Sequence, residues 1–354
     1  MAKLFEPLKI RSIEFLNRAW VSPMCQYSAI DGFIGDWHFI HLGALVSGRP
    51  GLVMVEATGI VPEGRITIGC PSIEDLSHAK SFERIIRFAH EQNVKIGIQL
   101  SHAGRKGSTM RPWDEYKIAN ESDGGWQTSS ASNIPFDGFP APNELTKEEI
   151  ETLILRFADA AKRAVEVGFD VIEIHAAHGY LFHQFYSPLT NMRSDEYGGS
   201  FEGRIRFLLQ TVKAVRSQIG EEVPLFVRIS ATDWVENGWQ IKDSIKLGVQ
   251  LKKLGVDLID VSSGGNLQNA KIPFSPGYQV AFSSEIRSEA AIMTSAVGGI
   301  TDPDQAESIL VRGEADAVFL GREMLRNPRW VLKAASELNS EIAWPTQLIR
   351  GIYQ

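Results

Sequence analysis

The chain has 354 residues, 44% apolar and 22% charged, with a formal net charge of −7 at pH 7. These are ordinary globular values that exclude collagen, coiled coil and extended disorder, and the acidity speaks against nucleic acid as a partner, because phosphate neutralisation needs a basic face. Cys25 and Cys70 are the only cysteines, too few for a disulfide framework or an all-cysteine zinc or iron–sulfur site.

The N-terminus lacks a basic stretch followed by a long apolar run, and no segment is long enough to span a bilayer, so a cytoplasmic protein with no membrane partner is expected. In chain order, the first short apolar, β-branched run covers residues 19–22, followed by a helix that carries His38 and His41. Runs at 51–57 and 95–100 flank a helical stretch at 81–92. Helices at 146–167, 201–219, 242–254, 279–290 and 303–312 then alternate with strands at 170–175, 224–230, 258–262, 292–296 and 317–320. Continuous runs such as Leu52-Val53-Met54-Val55 fit parallel strands covered on both faces. Thr146 ahead of Glu148-Glu149 is a helix cap, and Pro303 after Asp302 a first helical residue. Gly168 and Gly255 end helices in a repeated Gly-x-Asp pattern before strands, as successive βα units would.

Eight strands alternating with helices predict one α/β domain over 1–354, a (β/α)₈ TIM barrel, with a doubly wound open sheet as the rival. The largest interruption, 101–143, is rich in Gly, Pro, Ser, Asn and Trp and lacks periodicity. A loop this long is commonly functional, here a lid over the barrel mouth; the plainer reading is a solvated insertion.

Reactive groups in such barrels project from the C-terminal strand ends. Those ends carry Ser22-Pro23-Met24-Cys25-Gln26-Tyr27, Glu56-Ala57-Thr58, Gln99 with Ser101-His102-Ala103-Gly104-Arg105, and His175-Ala176-Ala177-His178-Gly179-Tyr180. Arg228, Ser262-Ser263-Gly264-Gly265, Gly298-Gly299 and Gly321-Arg322 follow on the later strands. Glycines on the last two loops let backbone N–H groups approach a phosphate, and Arg322 would add charge, although glycine also commonly just ends a strand.

His175 and His178 have three readings: zinc ligands, a buried structural pair, or two donors that polarise a substrate carbonyl. No H-E-x-x-H pattern or evident third ligand accompanies them, and no metal is expected. Tyr180 could donate a proton to carbon, or simply line a pocket rim. Arg228 sits in an apolar run and needs an anionic neighbour, either a carboxylate such as Glu173 or Asp260, or an electron-rich cofactor ring. His38 and His41 are read as packing residues. The absence of G-x-S-x-G and G-x-G-x-x-G leaves triad hydrolysis and a separate dinucleotide unit unsupported.

Together with Gly97-Ile98-Gln99-Leu100, His102-Ala103-Gly104-Arg105-Lys106, Asp195-Glu196-Tyr197-Gly198-Gly199-Ser200, Phe226-Val227-Arg228, Pro276-Gly277-Tyr278-Gln279 and Gly321-Arg322-Glu323, these motifs make the chain resemble the Old Yellow Enzyme family over essentially its full length, in its thermophilic-like branch. The resemblance implies an ene-reductase with bound FMN. NADPH, or NADH, reduces the FMN, and hydride then passes to the β-carbon of an activated alkene such as an unsaturated carbonyl or nitroalkene. It implies that Ser22, Pro23, Met24, Cys25, Ala57 and Gln99 surround the flavin ring, that Arg228 stabilises the reduced flavin, and that Gly298, Gly299, Gly321 and Arg322 hold the phosphate. His175 and His178 would bind the substrate carbonyl, Tyr180 would protonate the α-carbon, Tyr27 would be a second substrate-side phenol, and Cys25 would tune the flavin. Arg350, in a tail at 340–354, resembles an arginine inserted into a neighbouring subunit's pocket, which implies a homodimer or homotetramer.

Two departures stand out: the excursion at 110–126 is longer than in the nearest members, and Ile352-Tyr353-Gln354 follows Arg350-Gly351 where an aromatic often comes directly. The rivals are a dienoyl-thioester reductase of the related iron–sulfur type, opposed by the cysteine count, and a flavin-binding barrel without turnover, which would have no need of the His pair and Tyr180.

Overall fold

The computed structural model describes residues 1–114 and 118–353. An antiparallel hairpin of β1 (Leu8–Ile10) and β2 (Ile13–Phe15) precedes the main sheet. That sheet starts with β3 (Ala19–Val21), β4 (Leu52–Gly59) and β5 (Lys95–Ser101). A small separate pair follows, β6 (Ser129–Ser130) with β7 (Asn143–Glu144). The main sheet resumes with β8 (Val171–Ala176), β9 (Leu225–Ser230), β10 (Leu258–Ser262), β11 (Met293–Val297) and β12 (Ala317–Leu320). β12 pairs in parallel with β3, so the eight strands close into a barrel. The open-sheet rival is thereby excluded, and every expected strand is present to within two residues at either end.

The helices are α1 (Asp36–Ser47), α2 (Leu76–Ser81), α3 (Glu83–Glu91), α4 (Lys147–Glu166), α5 (Leu181–Tyr186) and α6 (Phe201–Ile219). They continue with α7 (Ile241–Lys253), α8 (Val280–Glu289), α9 (Pro303–Val311), α10 (Arg322–Arg326) and α11 (Trp330–Glu337). The helix expected at 81–92 is α3, and ahead of it stands α2, which no expected segment covered and which the Asp75 side chain caps. Thr146 caps α4 as read: its hydroxyl accepts from Glu149 N, while Glu149 returns a carboxylate to Thr146 N. No helix among the described residues is long and apolar enough to cross a membrane.

The Gly-x-Asp repeat has a physical purpose. Asp170 accepts the Ile96 amide at 2.9 Å and Asp257 the Leu225 amide at 2.9 Å, each tying the start of one strand to the strand before it. Asp316 does the same for Thr294 at 3.0 Å. These carboxylates also take up cations, Asp257 from Arg11 and Arg216, and Asp316 from Arg287.

Side chains alternate along a strand, and register aligns the inward sets: Phe226 lies opposite Leu258, Arg228 opposite Asp260, and Ser230 opposite Ser262. The barrel interior is thus layered. At the N-terminal end Trp20, Phe226 and Phe319 pack together, with Trp20 and Phe226 stacked at 5.8 Å, and Phe15 of the hairpin reaches Trp20 at 4.8 Å to plug that end. The next layer, toward the C-terminal ends, is charged or polar.

Candidate active site

That polar layer forms the floor. Arg228, on β9, is only 6% exposed and meets Asp260 of β10 at 3.0 Å, while its Nη2 reaches Ser22 Oγ at 3.3 Å. Asp260 accepts in turn from Ser295 at 2.9 Å. The carboxylate reading of Arg228 is correct, with Asp260 as its partner. It does not exclude a cofactor, because Arg228 and Ser22 also line a cavity of about 570 Å³ that runs past Gln279, Gly298 and Gly299 to Gly321 and Arg322.

Above Arg228, His175 is its register partner on β8. The imidazole rings of His175 and His178 stand 5.2 Å apart and nearly perpendicular, and Tyr180 lies 4.9 Å from His175. Burial, with the positive charges of Arg228 and Lys106 nearby, holds both histidines well below the usual imidazole range, so both are neutral at pH 7. His175 Nδ1 accepts from the Ala177 amide, which puts its proton on Nε2. His178 Nε2 meets Ser262 Oγ at 2.7 Å, and His178 takes a positive φ of 58° that its amide bond to Ser230 Oγ helps to hold. Deeper still, buried His183 bridges the Gly179 amide and Asp233, which fixes the turn carrying His178 and Tyr180.

Cys25, Tyr27 and Tyr180 pack against an apolar cluster that includes Ala57 and Cys70. The neighbouring Cys70 and burial hold the Cys25 thiol well above the usual thiol range. Burial likewise raises the Tyr27 phenol. Gln99 is buried on β5 and donates to Glu173 at 2.7 Å.

The excursion at 101–143 is tied to the loops after β8 and β10, although residues 115–117 of its 110–126 departure lie outside the described residues. Arg105 bonds Ile134 O and Pro135 O on the excursion and Asn266 O on the loop after β10. Lys106 bonds His178 O and Gly265 O, both at 2.8 Å. Arg350 stands exposed in the tail and lines no part of this cavity.

Residues 3–341 match the NADH:flavin oxidoreductase / NADH oxidase family. The chain belongs to that family, the Old Yellow Enzymes. It is 47% identical to an NADPH dehydrogenase of Geobacillus thermodenitrificans over 98% of both chains. Among solved structures it resembles morphinone reductase in complex with tetrahydroNAD, at 26% identity and a TM-score of 0.79, over 97% of this chain and 92% of that one. It likewise resembles the old yellow enzyme homologue of Zymomonas mobilis, at 25% identity and a TM-score of 0.77, over 99% and 96%. As a member of the Old Yellow Enzyme family the chain is an NADPH-dependent oxidoreductase with FMN as cofactor.

The cavity fits FMN. Gly298 (φ 108°) and Gly299 (φ 64°) adopt left-handed backbone, and a Cβ would lie 2.5 Å from Gln279 Nε2 at the first and 2.7 Å from Ser275 O at the second. Both positions favour glycine, and the turn they form borders the cavity, where a phosphate would fit. Residues of this Old Yellow Enzyme that motif reading left out of the site include Ser262, Gln279, Phe274 and Lys106. Ser262 and Gln279 stood in quoted motifs, and the signal that could have singled them out is position, since Ser262 ends β10 and Gln279 lies in the segment between β10 and α8. Phe274, which Arg322 overlies at 5.1 Å, carried no local signal.

Proposed function

We propose that this Old Yellow Enzyme is an ene-reductase whose His175 and His178 bind the carbonyl or nitro group of an activated alkene and whose Tyr180 delivers the proton. FMN, when bound, supplies the hydride for the β-carbon after reduction by NADPH. The observation that carries the reading is the neutral, mutually perpendicular imidazole pair whose His175 lies in register with the buried Arg228 on the neighbouring strand. His175 offers Nε2–H. For His178, the tautomer in which the Ser262 hydroxyl donates to Nε2 at 2.7 Å leaves Nδ1–H as the second donor. Two neutral donors stabilise the charge that develops on the substrate oxygen without fixing a counter-charge beforehand. Tyr180, 4.9 Å from His175, is placed to protonate the α-carbon as that charge collapses.

Ser22, Pro23, Met24, Cys25, Ala57 and Gln99 then flank the ring, Arg228 offers it a positive charge, and Gly298, Gly299, Gly321 and Arg322 hold the phosphate. Tyr27 serves as the second phenol. Residues 101–143 wall the mouth, a role supported by the Arg105 and Lys106 fastenings. The exposed Ile349, Ile352 and Tyr353 beside Arg350 support a homodimer or homotetramer in which the tail meets a neighbour's pocket.

Enzyme with bound FMN is expected to consume NADPH when given an enone, nitroalkene or maleimide. His175→Ala combined with His178→Ala should cut enone turnover by about two to three orders of magnitude per donor lost. Undiminished turnover would remove the carbonyl-binding assignment.

A further inference from the structure

The floor of the cavity holds two carboxyl groups for one guanidinium. Asp260 has Arg228 at 3.0 Å and Ser295 at 2.9 Å. Glu173 is fully buried on β8, and its Oε1 accepts from Gln99 at 2.7 Å while Oε2 has no hydrogen-bond partner. Around Glu173, β5 presents the neutral Gln99, β9 Arg228, β10 Asp260, and β8 itself His175. Lys106 approaches from the loop above, whereas Glu56 of β4 turns away to the Gln26 amide and His38. With Glu173 neutral the floor sums to zero charge; with Glu173 ionised it carries one net negative charge beneath the group that Arg228 is there to stabilise.

We propose that Glu173 is a proton-binding positioning residue, holding Gln99 while neutral and taking a proton from solvent onto Oε2 when electrons arrive above the floor. The proposal rests on FMN lying over Gln99 and Arg228, as the preceding reading has it. In the balanced step a nicotinamide C–H bond breaks, its hydride, which is two electrons and a proton, would pass to FMN as the group reduced, and the nicotinamide leaves oxidised. One further proton comes from solvent and forms the O–H bond on Glu173, and no other bond in the protein changes. Burial and the Asp260 charge push the Glu173 carboxyl up to about 8, against the opposing pull of Arg228 and Gln99. Negative charge arriving nearby raises it further. Below that value Glu173 is already neutral and reduction needs no extra proton. Above it, each two-electron reduction binds one more.

The test is spectroelectrochemical titration of the FMN-loaded enzyme from pH 6 to 10, for wild type, Glu173→Gln and Gln99→Ala. Wild type is expected to show a midpoint potential whose dependence on pH becomes about twice as steep above pH 8, whereas Glu173→Gln keeps the shallower slope throughout. Equal slopes for wild type and Glu173→Gln overturn the proposal, and Gln99→Ala tells why. A Gln99→Ala potential matching wild type means the flavin lies elsewhere; a shifted one means the flavin is here but Glu173 does not titrate. Reduced-minus-oxidised infrared spectra of wild type at pH 9 give a second readout independent of the variants. A protonated-carboxyl band that moves on ¹³C-glutamate labelling is expected, and its absence contradicts the proposal.

Discussion

A neutral imidazole and a charged one bring different chemistry to a carbonyl, and the surroundings of His175 and His178 decide for the neutral form. Their values are held down by burial and by Arg228 and Lys106, so in acid the unfolded chain binds protons that the folded chain refuses. Stability contributed this way is present above the ordinary imidazole value near 6.5 and is lost as pH falls below it. Chemical denaturation at pH 7 and pH 5 should therefore show a fall in wild type that is smaller in the His175→Ala/His178→Ala protein. Equal falls would mean the two imidazoles titrate normally. The role of Tyr180 is checked by Tyr180→Phe, which should slow alkene reduction by about two orders of magnitude or more while FMN reduction by NADPH persists; single-turnover traces of the two half-reactions separate them. At this scale the sequence was informative about identity and poor about environment. The HxxH-G-Y cluster and Arg228 could be read as a site, but whether Arg228 met Asp260 or Glu173 depended on register across β9 and β10, which no local pattern encodes. Likewise, nothing in the spacing of Cys25 and Cys70 announces that their thiols touch.

The elements that were legible are those with strong periodicity. Continuous β-branched runs gave the barrel strands, and the α6 pattern at 201–219 matches its observed limits. What escaped was short or lay outside the repeat: the β1–β2 hairpin and the six-residue helices α2 and α5. Such pieces owe their form to tertiary contacts rather than to their own period. The hairpin matters nonetheless, since Phe15 closes the N-terminal end of the barrel against Trp20 and Phe226. Phe15→Ala is expected to cost about 3–5 kcal/mol, read as a lower denaturant midpoint with unchanged slope, and a change within about 0.5 kcal/mol would show the plug to be dispensable. The Asp170, Asp257 and Asp316 staples explain why a weak repeat was visible at all: each unit needs an acceptor for an amide at the start of the preceding strand.

For the molecule as a whole, the polar layer sits between an apolar plug and an open mouth, so the charged groups are isolated from solvent on one side and reachable from the other. That arrangement lets Arg228 act on what occupies the cavity. The tail also belongs to this scale: Arg350 is exposed and lines no part of its own chain's cavity. If it completes a neighbour's pocket, sedimentation should show a dimer or larger, and Arg350→Ala should raise the enone KM with kcat and FMN content little changed. A monomer, or an unaltered KM, would set the tail aside.

The most direct measurement of the central claim is an optical titration of the FMN-loaded protein with p-hydroxybenzaldehyde, whose phenolate presents one oxygen to the imidazoles while its ring lies over the flavin. Wild type should bind it with a new long-wavelength absorption, and the His175→Ala/His178→Ala protein, with the same FMN content, should bind it at least about a hundredfold more weakly, as loss of charge-assisted donors requires. Equal affinity and the same absorption in both proteins would contradict the account.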